Sequence, residues 1–380
     1  IPIHPGRSLL FLDEIQAAPE ILASLRYFLE EMPELHVISA GSLLEFAMKE
    51  PAFSMPVGRI EYMYIGPMQF EEFLLAAGEK SLAEFLVGFN PKDAIPTPLH
   101  DKLMGLLRKF LVVGGMPESM AVYLQRGSWQ ECEATKTALM ATLEDDFSKY
   151  GSRLAHQRLQ MVFNKIPFLV GAKFKYVHVD RNIRAKELAD ALGLLCQARV
   201  AYQVHHSSCT GIPLGATIDV KRFKTLFLDV GLLSSAVGLN LLDYEKAEDV
   251  MMVNAGAVCE QLVGQHLLFS QDLYRAPELH YWVREKKSSS AEVDYVISQG
   301  PAIVPVEVKS GKGGTLKSLH LFLRERGRPL GIRFNADPPS VVDLETAISD
   351  GRNVPYRLVS LPLYLVGQIR RLLVNHGLPL

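Results

Sequence analysis

Leu9-Leu10-Phe11-Leu12-Asp13-Glu14 decides how the first part of the chain is read: four apolar residues in a row, then two acids. A short, unbroken apolar run suits a strand buried on both faces of a parallel sheet. Pro19 then stands in the first turn of a helix, where proline is tolerated, and Ile21, Leu22, Leu25, Phe28 and Leu29 fall on one helical face with the charges opposite. Glu34 to Ala40 predicts a second strand, Gly41 stops it, and Ser42 is placed to cap a helix opening at Leu43. Strand, helix, strand, helix is the order of an α/β sheet. Its ligands gather beyond the carboxyl ends of the strands, where Asp13, Glu14 and Ser42 stand.

Beyond this unit the pattern changes. Phe70 to Tyr150 reads as mostly helical, broken by Pro91 to Pro98 and by Gly114-Gly115-Met116-Pro117. From Phe174 to Leu239 a helix at Lys186–Leu195 joins strands at Arg199–His205 and Thr225–Asp229, a small α+β pattern compatible with a winged helix. The last region opens with a long helix from Asn254 to Phe269. It continues with a strand at Leu279–Arg284 and a hairpin pairing Ala291–Ile297 with Ile303–Lys309. The expected organisation is 1–70 as part of a nucleotide-binding core, 71–165 as a helical lid, 166–245 as a winged-helix-like segment and 246–380 as an α/β domain.

Bulk properties narrow the class. A chain of 380 residues exceeds what one core usually organises, and 48% apolar with 22% charged residues predicts order throughout. The net charge of -2 gives no global attraction to a polyanion, so any such site must be local. Cys132, Cys196, Cys209 and Cys259 form no C-x-x-C pair, which fits free thiols in a reducing compartment. With no apolar run of membrane-spanning length and no signal-peptide pattern at the start, the expectation is a cytoplasmic protein without a membrane partner.

The paired acids have a chemical reading. One carboxylate at such a strand end helps hold Mg²⁺, and the next orients the water that attacks a γ-phosphate; Asp13 and Glu14 take those places in that order. A strand ending in a charged turn is the other reading of the same residues. The far end of the chain carries a second constellation, Asp294 followed by Glu307-Val308-Lys309. Glu307 and Lys309, two apart on a strand, share a face, and Asp294 can join them across the hairpin. Asp294 and Glu307 then suit a metal beside a phosphodiester, with Lys309 for the attacking water or the charge on phosphorus. Glu260 lies among Gly256, Val263 and Gly264 in a small-residue groove, where an acid wants a partner. The basic residues from Lys309 to Arg333 could track phosphates, or simply keep a surface soluble. His205, His206 and Cys209, in or just after a strand, do not have an established zinc spacing.

Several motifs together resemble one family. These are L-L-F-L-D-E-I-Q at Leu9–Gln16, A-G-S-L-L at Ala40–Leu44, V-G-R-I at Val57–Ile60 and P-M-Q-F-E-E-F at Pro67–Phe73. G-G-M-P-E at Gly114–Glu118, F-K-T-L-F-L-D-V-G-L-L at Phe223–Leu233, E-V-D-Y at Glu292–Tyr295 and P-V-E-V-K-S-G at Pro305–Gly311 complete the set. The chain resembles bacterial and archaeal AAA ATPases whose core is followed by a domain of unknown function with a restriction-endonuclease-like core. The resemblance implies a partial P-loop NTPase fold, ATP and Mg²⁺ as cofactors, Ser42 as the polar sensor, and Arg59 as an arginine for the phosphate of its own or an adjacent subunit. It also places Glu260 as the helix acid of the nuclease-like core. One departure stands out: the phosphate loop G-x-x-x-x-G-K-[ST] should precede Asp13 and is absent, and Gly311-Lys312-Gly313-Gly314-Thr315 has the wrong spacing and position to replace it. An upstream portion is therefore expected to be missing. The function expected is ATP hydrolysis governing a domain that binds or cuts DNA or RNA, with a homo-oligomer open. The alternative is an ATP-regulated protein-interaction module with an inactive nuclease-like domain.

Overall fold

The computed structural model describes residues 3–41, 58–147, 153–239, 255–286, 289–311, 315–347 and 353–375. Ser42 and Lys312–Gly314 lie outside the described residues. Near the start, β1 (Leu9–Leu12) and β2 (His36–Ser39) pair in parallel, Leu9 opposite His36 and Leu12 opposite Ser39. The crossover is α1 (Pro19–Glu31), with proline in its first turn as expected and Leu22 buried. The expectation of a strand buried on both faces is not met: Leu9 and Phe11 are 58% and 57% exposed. The described sheet here has two strands and one crossover helix, which is cover enough for one face only.

Helices follow in close succession: α2 (Phe70–Ala76), α3 (Lys80–Gly88), α4 (Thr97–Val113), α5 (Pro117–Arg126), α6 (Trp129–Asp146), α7 (Arg153–Lys165) and α8 (Ala185–Gln197). A capping box starts α2, in which Gln69 N–H donates to Glu72 Oε2 at 2.7 Å. Phe70, Phe73 and Phe110 meet with ring centroids 5.6–6.2 Å apart, fastening α2 to α4.

The rest of the molecule is organised by an eight-stranded mixed sheet: β3 (Ala201–Ser207), β4 (Ile218–Phe227), β5 (His280–Lys286), β6 (Ser289–Gln299), β7 (Ala302–Val308), β8 (Leu330–Asn335), β9 (Ser340–Ala347) and β10 (Asn353–Pro362). Their order across the sheet is β4-β3-β5-β6-β7-β8-β10-β9. The helix-then-two-strands pattern read as winged-helix-like does form, but β3 and β4 extend the same sheet as the C-terminal strands. His205 pairs with His280 and His206 with Tyr281 in parallel. Between β4 and β5 come α9 (Val230–Ala236) and α10 (Ala255–Phe269); α11 (Lys317–Arg326) and α12 (Ile369–Asn375) complete the helices used below.

One contiguous apolar core runs from Phe70 to Leu373 and takes in α2, α4, α10 and one side of the sheet. A smaller core, with Trp282, Val293, Phe322 and Leu358, lies where α11 packs. Two of the motifs meet inside the larger core. The carboxylate of Asp229, wholly buried, accepts N–H groups from Gly231 at 2.8 Å and Leu232 at 3.1 Å, capping α9, and from Gly115 at 2.7 Å. A Cβ on Gly231 would lie 2.5 Å from the Cα of Gly114, so both glycines are required by close approach of the two backbones.

Candidate functional site

Two groups of acids stand where chemistry is expected, and each is built differently. At the carboxyl end of β1 the chain turns sharply. Ala40 N–H donates to Leu12 O at 2.9 Å and Ile15 N–H to Ala40 O at 3.1 Å, which ties the turn to the end of β2. Between these anchors Asp13 and Glu14 are both exposed. Glu14 has φ 50 and ψ 42, a left-handed conformation that costs a non-glycine residue on the order of 1 kcal/mol. Its N–H donates to Asp13 Oδ1 at 3.0 Å, and Gln16 Nε2 donates to its carboxylate. Gln16 in turn packs against Gly41, where a Cβ would displace the Gln16 amide. The turn thus fixes two neighbouring carboxylates facing solvent at the edge of a parallel sheet. Arg59 Nε pairs with Glu30 Oε1 on α1 at 2.7 Å, both side chains nearly half exposed.

The second group is built around buried Lys224 and Glu307, with Glu260, Glu292, Asp294 and Lys309 half-buried about them. Asp294 and Glu292 sit two apart on β6 and so share a side; continuing the Tyr295–Val306 register sets Asp294 against Glu307 on β7. Asp294 Oδ2 accepts the Val308 N–H at 2.8 Å, and Lys309 Nζ meets Glu307 Oε1 at 2.6 Å. Glu260 joins from α10, its backbone carbonyl held by the Tyr295 hydroxyl at 2.8 Å. Gly171, at φ +81, lies over it; a Cβ there would come within 3.1 Å of Glu260 Oε1. At the middle of the group is Lys224 of β4, whose ammonium lies 2.5 Å from Glu292, 3.2 Å from Glu260 and 3.6 Å from Asp294. Lys224 is 2% exposed. Two strands separate β4 from β6, so twisting of the sheet brings these side chains together.

The electrostatics follow from the count. Four carboxylates, Glu260, Glu292, Asp294 and Glu307, face two ammoniums, Lys224 and Lys309. Burial penalises charge on Lys224, but Glu260, Asp294 and Glu292 outweigh it and hold the ammonium well above the ordinary lysine range. Burial likewise works against Lys309, and its hydrogen bond to Glu307 reverses the effect, so it too is raised. Lys173 also acts on Glu292, yet the acids still outnumber the cations. Burial, with Asp294 close by, pushes Glu307 up to about 7. Burial pushes Glu260 up to about 8, against the pull of Lys224. These two acids are the ones that take up protons most readily. Glu307 Oε2 is buried and has no hydrogen-bond partner.

Residues 2–74 match the family model of an AAA domain. Residues 104–243 match a domain of unknown function (DUF8612), and residues 255–341 another (DUF4143). No curated protein and no solved structure matches the chain. The start of the chain is therefore similar to an AAA domain, and two domains of unknown function follow it. Asp13 and Glu14 fall in the AAA-like segment, and Glu260, Asp294, Glu307 and Lys309 in the last matched region.

The structure brings Asp13 next to Glu14, and gathers Glu260, Asp294, Glu307 and Lys309, although α10, β6, β7 and the residue just after β7 supply them. Ser42 cannot be placed, lying outside the described residues. Reading the sequence missed Lys224 and Glu292 as members of the buried group. Lys224 had one signal: a lysine in the long strand R-F-K-T-L-F, within a motif already singled out. His205 and His206 sit in β3, where the Val283 N–H donates to His206 Nδ1 at 3.3 Å, and Cys209 Sγ contacts Ser207 O at 3.4 Å. Among the described residues no helix is long and apolar enough to cross a membrane.

Proposed function

We propose that the protein binds and hydrolyses ATP at the carboxyl end of β1, and that its nucleotide state governs the buried acid–lysine group in the C-terminal half. The observation that carries this reading is the pair of adjacent, exposed carboxylates on a parallel strand, with Glu14 held in a left-handed turn by Gln16 and Asp13. Two exposed carboxylates that, among the described residues, accept only the Glu14 N–H and the Gln16 amide fit a hydrated Mg²⁺ and an attacking water. Asp13 would hold the metal through water, and the metal would neutralise charge on the β and γ oxygens. Glu14 orients and polarises the water. The AAA-like match supports the same reading. The test is Mg²⁺-dependent ATP turnover, measured on a chain in which a phosphate-binding loop precedes β1. Glu14→Gln should lower turnover by roughly 100-fold or more while a fluorescent ATP analogue still binds. Unchanged turnover in that variant defeats the assignment.

For the C-terminal half the proposal is a restriction-endonuclease-like core that binds DNA or RNA, with Glu260, Asp294, Glu307 and Lys309 at its centre. The alternative, recognition of another protein by an inactive core, has an observation in its favour. The unpartnered Glu307 Oε2 is an acceptor a metal could use, but the space between Glu260, Glu292 and Asp294 is filled by the Lys224 ammonium. As folded, the group does not fit Mg²⁺, and no metal-assisted step is assigned to it. Cleavage of DNA or RNA with Mg²⁺, lost in Asp294→Ala and Lys309→Ala, supports the first reading. No cleavage and no polyanion binding support the second.

A further inference from the structure

We infer that Lys224 is a resident cation, standing where a divalent metal would sit in the buried acid group and competing with metal for the same carboxylates. The inference rests on reading Glu260, Asp294 and Glu307 as one site, but not on that site cutting anything.

The geometry is that of a cation centre with an ammonium in it. Three carboxylates from two elements, Glu260 on α10 and Glu292 and Asp294 on β6, converge on one Nζ at 3.2, 2.5 and 3.6 Å. Movements of ~1 Å would bring these oxygens to the ~2.1–2.5 Å at which Mg²⁺ or Ca²⁺ is held. Lys224 does not reach in from a mobile surface. It is 2% exposed, sits mid-strand opposite Val204, and its backbone bridges to Lys173 on the far side, so the ammonium is delivered by the sheet itself. Its Nζ also lies 5.6 Å from the ring centroid of Tyr281. The buried Glu307 Oε2 is an acceptor in the group that the resident ammonium leaves without a hydrogen-bond partner among the described residues.

Competition follows from charge. A divalent ion entering beside a fixed, buried ammonium would meet like-charge repulsion in a low-dielectric setting, and the acids that should bind it are already paired. Metal uptake therefore requires Lys224 to leave. Removing the lysine leaves uncompensated buried carboxylates, which is the usual chemistry of a divalent site.

The test uses Mn²⁺ alone, titrated into the whole chain near neutral pH and read by electron paramagnetic resonance. Binding at this group is counted as the part abolished by Asp294→Asn, which separates it from uptake at Asp13. The wild type should show none of this component up to ~1 mM Mn²⁺, whereas Lys224→Met should bind one Mn²⁺ roughly tenfold or more tighter than that limit. Should Lys224→Met fail to fold, Lys224→Met/Glu260→Gln removes one of the stranded charges and leaves Glu292, Asp294 and Glu307 to bind. Equal Asp294-dependent affinity in wild type and variant overturns the inference, as does a folded variant that takes up no Mn²⁺. Should neither variant fold, the wild type decides alone: Asp294-dependent uptake tighter than ~1 mM overturns it and none upholds it. Because no nucleic acid is present, a chain that behaves as expected yet cuts nothing refutes the nuclease reading and leaves this one standing.

Discussion

Replacing Asp229 tests whether the G-G-M-P and D-V-G-L-L motifs are held together by one carboxylate. In Asp229→Ala the α9 cap is lost, since Gly231 and Leu232 no longer have their acceptor, at a cost of about 1 kcal/mol. The buried Gly115 N–H, now 2.7 Å from nothing it can donate to, adds ~1–3 kcal/mol. The sum is about 2–4 kcal/mol. Asp229→Asn separates the two contributions. Its carbonyl oxygen can keep the cap, but its NH₂ then faces the Gly115 N–H, donor against donor, so only the second cost of ~1–3 kcal/mol applies. Urea unfolding followed by far-ultraviolet circular dichroism should rank wild type above Asn above Ala. Asn matching wild type to within ~0.5 kcal/mol would show that Gly115 does not depend on the carboxylate, and the bridge between the motifs would be refuted.

Two pH dependences follow from buried groups. Glu260 is raised from 4.5 to about 8, so across that window the folded chain binds more protons than the unfolded one and stability falls as pH rises; Glu260→Gln should flatten the fall of thermal midpoints between pH 4.5 and about 8. His266 accepts the Phe70 N–H on Nε2 at 3.1 Å and, with Nδ1 at 2.9 Å from Leu262 O, is held neutral. Burial lowers its pKa below the ordinary 6.5, so stability present above that value is lost as pH falls; His266→Gln should reduce the acid-side loss, and an unchanged acid slope would show that another group controls it.

Much of the first region was legible because its signals are local. A proline, an apolar stripe and a glycine stop mark α1 and the strands around it without reference to anything distant. What failed there was burial: an apolar run gives no information about how many strands will flank it, and Phe11 is left facing outward. The buried acid group was half legible. Asp294, Glu307 and Lys309 are close in sequence and obey strand alternation, so their meeting could be expected. Lys224 could not be read this way, because a lone lysine in a strand is ordinarily the solvent side of the alternation, and its partners lie 36 residues and more away. Asp229 was quoted as part of a motif, but its buried role depends on Gly115, 114 residues distant. The placing of β3 and β4 failed for a related reason: helix-then-two-strands is a local pattern, and the sheet that claims those strands is chosen by long-range pairing.

The parallel seam between β3 and β5 consists of the pairs His205–His280 and His206–Tyr281, and it joins the segments matched by two different families of unknown function. Neither segment is thus a detachable module. Cut apart, each would carry a raw strand edge with unpaired amides and carbonyls, a surface that recruits other chains.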